Sequence, residues 1–97
     1  MGIRSFRRRE VEDFFFDGKP PRRAGWMQVA NIVKRKLDML HYAQNLDDLT
    51  SPPGGRLEAL HGDLAGLHSI RVNDQWRAVF RWTADGPEDV DVIDYHR

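Results

Sequence analysis

Arg71, Arg77 and Arg81, together with the closing run Asp94-Tyr95-His96, are the residues of this chain whose types and spacing suit chemistry. Planar guanidinium groups grip phosphates through paired hydrogen bonds and stabilise negative charge that builds up in a transition state. A carboxylate, a phenol and an imidazole within three residues can accept, donate or relay protons near neutral pH. His41 falls in a helical stretch near its apolar stripe and reads as a packed or half-exposed helix residue. His61 and His68 lie seven apart with no carboxylate at a ligand spacing, and the chain has no cysteine. The expectation is therefore chemistry without a metal or other cofactor. No serine sits in a nucleophile elbow, which argues against a Ser-His-Asp hydrolase.

The spacing of the arginines sharpens this. Ser69-Ile70-Arg71-Val72 and Trp76-Arg77-Ala78-Val79-Phe80-Arg81-Trp82 both alternate, so Ile70, Val72, Trp76, Ala78, Phe80 and Trp82 belong to one buried face. Residues paired across an antiparallel ladder share a face, and a slip of one residue turns a strand inside out. A two-residue Asn73-Asp74 loop would pair Arg71 with Trp76 and break that rule. A three-residue loop, Asn73-Asp74-Gln75, pairs Val72 with Trp76, Ile70 with Ala78, and Arg71 with Arg77. Two like charges facing each other cost a few tenths of a kcal/mol, roughly, so folding alone gives little reason for them. An anion supplies one. The competing explanation is ordinary ion pairing with acids such as Asp63 or Asp94. Alternation in the last strand puts Tyr95 on the arginine face with Asp91 and Ile93, and Asp94 and His96 opposite. All three serve one site only if that strand twists or bulges near its end.

The elements that must position these groups follow from periodicity. Ile3–Phe6 reads as a short first strand. Arg7–Asp17 carries Val11, Phe14 and Phe15 at helical spacing, with Gly18 placed to stop the helix. A second, long amphipathic helix is expected from about Arg22 to Gln44, its stripe running through Trp26, Ala30, Val33, Leu37 and Leu40. Residues 45–55, ending Ser51-Pro52-Pro53-Gly54-Gly55, read as a loop. Arg56–Leu60 is a short candidate strand, His61-Gly62-Asp63 a turn, Asp85-Gly86-Pro87 another, and Asp89–Tyr95 the last strand. The expected fold is α+β: one domain over residues 1–97, with an N-terminal short strand and two helices packed on a mainly antiparallel twisted sheet.

Composition excludes several classes. The 97 residues are 40% hydrophobic with ten aromatics, enough for a core and against a disordered tail. The absence of cysteine fits a reducing compartment, and no apolar run reaches a membrane span or a signal-peptide core, so a small cytoplasmic protein with no membrane partner is expected. The zero net charge hides a division. Residues 1–36 hold ten basic and four acidic residues, and residues 37–97 five arginines and eleven acids, so the N-terminal third carries +6 and the remainder −6. The basic runs Arg7-Arg8-Arg9 and Lys34-Arg35-Lys36 are candidate contacts for a polyanion, whose alternative role is plain solvated helix surface.

The stretch Leu60-His61-Gly62-Asp63…Gly66…Ser69-Ile70-Arg71-Val72-Asn73-Asp74-Gln75-Trp76-Arg77…Phe80-Arg81-Trp82…Asp94-Tyr95-His96, with the opening Ile3-Arg4-Ser5-Phe6, resembles the HigB toxins, the plasmid maintenance killer branch of the RelE/ParE superfamily. The resemblance covers essentially the whole chain and is most specific in the Arg-Val-Asn-Asp-Gln-Trp-Arg segment and the terminal Asp-Tyr-His. It implies the toxin of a type II toxin–antitoxin pair with a RelE-like fold. It implies a metal-independent endoribonuclease that enters the ribosomal A site and cuts mRNA there, the RNA's own 2′-hydroxyl attacking the adjacent phosphate to leave a 2′,3′-cyclic phosphate. The site carried over is His61, Arg71, Arg77, Asp94, Tyr95 and His96. Arg71 and Arg77 would hold the scissile phosphate. Asp94 or Tyr95 would activate or orient the 2′-hydroxyl, and His96 would either protonate the leaving 5′-oxygen or stack on a base. His61 stands where many relatives carry lysine, and His68 where they often carry an aromatic, so His68 is a candidate base-stacking residue. Arg7, Arg8, Arg9, Lys34, Arg35, Lys36 and Arg81 are the further RNA contacts expected. The implied partner is a helix-turn-helix, HigA-like antitoxin, with operator DNA reached only through it. Two other classes stay open: a non-catalytic toxin that blocks a target such as DNA gyrase, as the ParE branch does, and a degenerate relative that only binds its antitoxin. Cyclic-phosphate ends on mRNA after induction separate the first from the blocker, and a growth curve without antitoxin identifies the degenerate case.

Overall fold

The computed structural model describes residues 2–19, 21–50 and 56–95. Two helices, α1 (Arg9–Asp17) and α2 (Ala30–Tyr42), precede four strands, β1 (Glu58–Ala59), β2 (His68–Arg71), β3 (Trp76–Thr83) and β4 (Gly86–Asp94). The strands form one sheet in the order β1-β2-β3-β4, every neighbour antiparallel. Both helices lie on one face. Val11 and Phe14 of α1 and Val33, Leu37 and Leu40 of α2 pack with Ile70, Ala78, Phe80, Val90 and Val92 of the sheet in one core. The alternation read from the sequence thus separates a covered face from an open one, and the open one carries the arginines.

Sequence and structure part at several boundaries, and the short strand expected over Arg56–Leu60 is confined to Glu58–Ala59. The expected first strand shrinks to a single parallel bridge, Phe6 to Val90. Around it, Arg4 N–H donates to Pro87 O, Val90 N–H to Ser5 O and Arg7 N–H to Val90 O, so the N-terminal segment covers the free edge of β4. Because Arg7 is held in that ladder, α1 starts at Arg9. It ends where expected, on Gly18 in the left-handed region with φ +76. The long second helix begins only at Ala30, after a 3₁₀ turn over Met27–Val29. Gly25 explains the delay: the indole of Trp76 sits so close that a Cβ there would lie 2.5 Å from Trp76 Cζ2. This segment is shaped by that packing and by burial of Trp26 against Phe14.

The reading of 45–55 as loop gives way at Leu46–Leu49, a 3₁₀ turn whose Asn45 and Asp48 cap one another reciprocally; residues 51–55 lie outside the described residues. The last turn is Ala84-Asp85, and Gly86 and Pro87 already belong to β4. Pro87 fits there as an early strand residue facing the bridge-covered edge, where its missing N–H interrupts little. One β-bulge breaks the β3–β4 ladder: Val79 pairs with Asp91 but Arg81 with Glu88, leaving one extra residue in β4.

Candidate active site on the open face of the sheet

The β2–β3 hairpin has the register that alternation requires: Ile70 faces Ala78 and Arg71 faces Arg77. Its loop is held by Asn73, whose Oδ1 accepts from Gln75 N–H at 2.9 Å and Trp76 N–H at 2.7 Å. Val72 N–H closes the ladder on Trp76 O at 2.9 Å. The two arginines are thereby fixed side by side on the open face.

Each is engaged differently. Arg77 is nearly buried, its side chain 11% exposed. It donates to Ser69 Oγ at 3.0 Å, to Glu58 Oε1 at 3.0 Å and to Arg56 O at 3.4 Å. Arg71 is paired with Asp74, a loop residue whose own side chain is almost fully exposed. That pairing holds the Asp74 carboxyl below its ordinary pKa. Tyr95 completes the group: its ring lies 5.2 Å from the Arg77 guanidinium carbon, and its N–H donates to Gln75 O at 2.7 Å. Arg56, Glu58, Arg71, Asn73, Asp74, Arg77 and Tyr95 line one cavity of about 350 Å³. Three guanidinium groups against two carboxylates make it an anion site that holds its own counter-ions.

Arg71 and Arg77 are therefore paired with Asp74 and Glu58 rather than with Asp63 or Asp94. Arg56 and Glu58 were not among the residues singled out from sequence. The signal was present: on the candidate strand Arg56–Leu60, alternation puts Arg56 and Glu58 on one face, and pairing of Glu58 with Ser69 carries that face to Arg77.

The remaining candidates are dispersed. Asp94 pairs with Trp76, on the covered side of the ladder, and accepts from Gln75 Nε2 at 3.0 Å; it does not line the arginine cavity. His61 is exposed at the start of the 3₁₀ turn Gly62–Leu64, also outside that cavity. His96 lies outside the described residues. His68 shares the face of Ile70, its ring stacked with Phe80 at 6.1 Å and its Nδ1 buried with no hydrogen-bond partner among the described residues. Of the basic runs, Arg8 is committed to Asp91 at 2.9 Å and to Val92 O, and Arg9 lies 3.8 Å from Asp13. Lys34 binds Asp38 at 2.7 Å and lies over the Phe15 ring. Lys36 is only 6% exposed, and burial, with Arg35 and Arg71 nearby, lowers its ammonium pKa. Arg7 and Arg35 face solvent. Arg81 lies 3.9 Å from Asp89 and lines a second cavity with Arg7 and Arg8.

Among the described residues no helix is long and apolar enough to cross a membrane. A family model described as the RelE-like toxin of the type II toxin–antitoxin system HigB matches residues 4–96. The chain is 40% identical over 92 residues to Toxin HigB-1 of Vibrio cholerae serotype O1, covering 95% of each chain. It is 41% identical over 51 residues to an uncharacterized protein of Haemophilus influenzae, covering 53% of this chain and 50% of that one. In fold it is similar to the YoeB/ParE toxin from Agrobacterium tumefaciens, with a TM-score of 0.58 at 22% identity, covering 99% of this chain and all of the other. A toxin of this kind implies an antitoxin as partner. The chain belongs to the HigB-like family of RelE-like toxins from type II toxin–antitoxin systems.

Proposed function

We propose that this toxin is a metal-independent endoribonuclease that cuts mRNA in the ribosomal A site of the cytoplasm, and that Arg71, Arg77, Glu58 and Tyr95 form the described part of its site. The observation that supports this most is the Arg71–Arg77 pair, two cations set opposite each other in a cavity that also holds a carboxylate and a phenol. A scissile phosphate entering the cavity displaces Asp74 from Arg71 and Glu58 from Arg77. The guanidinium groups then hold the two non-bridging oxygens as their charge grows. Released from Arg77, the Glu58 carboxylate takes the proton of the 2′-hydroxyl. The 2′-oxygen forms its bond to phosphorus, the bond to the 5′-oxygen breaks, and that oxygen leaves with a proton from His96, next in sequence to Tyr95. Tyr95, held against Arg77, orients the ribose. In this scheme Asp94 fixes Gln75 and so the hairpin loop, and His61 lies at the rim of the fold rather than at the reacting phosphate. The antitoxin is of the helix-turn-helix, HigA-like kind, and operator DNA is contacted through it.

Induction without antitoxin tests the reading. Wild type arrests growth and leaves mRNA fragments with 2′,3′-cyclic phosphate ends, whereas Arg77→Ala does neither. Growth arrest with intact mRNA and broken chromosomal DNA would replace cleavage by blockade of a topoisomerase. Normal growth on induction of wild type would mark a chain that only binds its antitoxin.

A further inference from the structure

The arginine cavity has a larger neighbour on the open face among the described residues. This second cavity, of about 520 Å³, is lined by the apolar Leu64, Leu67, Val79 and Ile93 and by charged groups that include Arg81 and Asp89. Val79 and Arg77 are two residues apart on β3, about 7 Å along the strand, which is the reach of one nucleotide. Both Arg81 and Asp89 depend on unusual backbone. Asp89, the extra residue at the bulge, has φ +54, and its N–H is held by Ser5 Oγ at 2.9 Å. A non-glycine residue in that region is strained, and the surrounding contacts maintain it. Beside Arg81, Gly66 has φ +92, and a Cβ there would come within 3.0 Å of Arg81 Nη1. One segment is bent to present a carboxylate, and the other is left bare to admit a guanidinium. The two groups are 3.9 Å apart and each is about half exposed, so neither is saturated. Asp91, by contrast, is committed to Arg8.

We propose that this second cavity binds a nucleobase of the mRNA one nucleotide away from the scissile phosphate, with Arg81 donating to or stacking on the base and Asp89 accepting from its edge. The proposal rests on the RNA-cleaving reading of the arginine cavity. A phosphate suits this cavity poorly, because Asp63, Asp89 and Asp91 offset Arg7, Arg8 and Arg81. A base suits it well: it is neutral and flat, with apolar faces and with donors and acceptors along one edge. Leu64, Leu67, Val79 and Ile93 offer those faces apolar contact, and the half-exposed Arg81 and Asp89 supply a donor and an acceptor for the edge.

The test measures binding of the labelled full-length toxin to ribosomes carrying an mRNA with a 2′-O-methyl group at the attacked nucleotide, which blocks cleavage. Arg81→Ala and Asp89→Gly each weaken binding about tenfold, the worth of one good base contact. Glycine accepts φ +54 and so keeps the fold, which a melting curve checks. Removing the base of one flanking nucleotide weakens wild type by a similar factor, and on that mRNA the two variants match wild type. Loss by the same factor with or without the base, or no loss at all, overturns the proposal. So does an equal loss on ribosomes without mRNA, which would assign the cavity to ribosomal RNA. Loss of antitoxin binding with mRNA-ribosome binding unchanged would assign it to the antitoxin and overturns the proposal as well. Arg77→Ala separates the two layers. If it weakens binding while Arg81→Ala and Asp89→Gly do not, only the nucleobase site falls; if it too has no effect, the reading of the arginine cavity falls with it.

Discussion

Replacing Glu58 by Gln isolates proton transfer from anion binding. The amide keeps the size of the side chain and one acceptor oxygen, so Arg77 retains a partner and Ser69 Oγ keeps its donor at 3.0 Å. What is lost is the charge. The Glu58 side chain is 36% exposed against 11% for Arg77, and a partly solvated pair of this kind contributes about 0.5–1 kcal/mol. For a chain of this length that shifts the melting temperature by roughly 2–8 °C. Loss of a positioned base, by contrast, slows the chemical step about 10²- to 10⁴-fold. The assay is single-turnover cleavage of A-site mRNA on programmed ribosomes with the toxin in excess, so that ribosome binding and chemistry separate. Glu58→Gln should bind as tightly as wild type and cleave at least about a hundredfold more slowly. Cleavage within about threefold of wild type at saturating toxin would refute Glu58 as the base. Loss of binding to the same extent as loss of cleavage would show instead that Glu58 shapes the arginine cavity.

Two further predictions concern the scaffold. Gly25→Ala places a Cβ about where the Trp76 ring now lies, so thermal melting should show a loss of about 1–3 kcal/mol, as overpacking does; an unchanged melting temperature would mean that the 21–29 segment is not held by that contact. Asp74 has a carboxyl pKa lowered by Arg71 from its ordinary 3.8. A group depressed in the folded state contributes stability that is present above its unfolded pKa and lost as pH falls through the folded value. Denaturant titrations should show wild type losing that contribution below about pH 4, while Asp74→Asn lacks that part of the pH dependence; identical pH profiles for the two proteins would refute the pairing.

What could be read from sequence followed from short-range rules. Two strands with a common buried face and a loop of fixed parity determine which residues face each other, so Arg71 opposite Arg77 and Tyr95 on their side needed no tertiary information. Gly18 as the stop of α1 likewise follows from local backbone preference. The misplaced boundaries are those set by distant contacts. The start of α1 depends on Arg7 pairing with Val90, and the late start of α2 on Trp76 approaching Gly25. Periodicity within a segment contains neither.

The candidate site divides along the same line. That two guanidinium groups share one sheet face follows from residue order alone, because side chains alternate with a period of two wherever a ladder forms. Their counter-ions come from the folded arrangement, since Glu58 reaches Arg77 through the β1–β2 pairing and Asp74 reaches Arg71 through the shape of the Asn73 turn. It alone showed that Arg81 lines a different cavity, beside Asp89, the extra residue of a bulge visible only when β4 is laid against β3. It also turned Lys36 from a member of a basic run into a buried cation, because the face a helix residue presents depends on what the helix packs against. Identity and spacing fix the face on which a charge lies; its partner comes from whichever strand folds alongside.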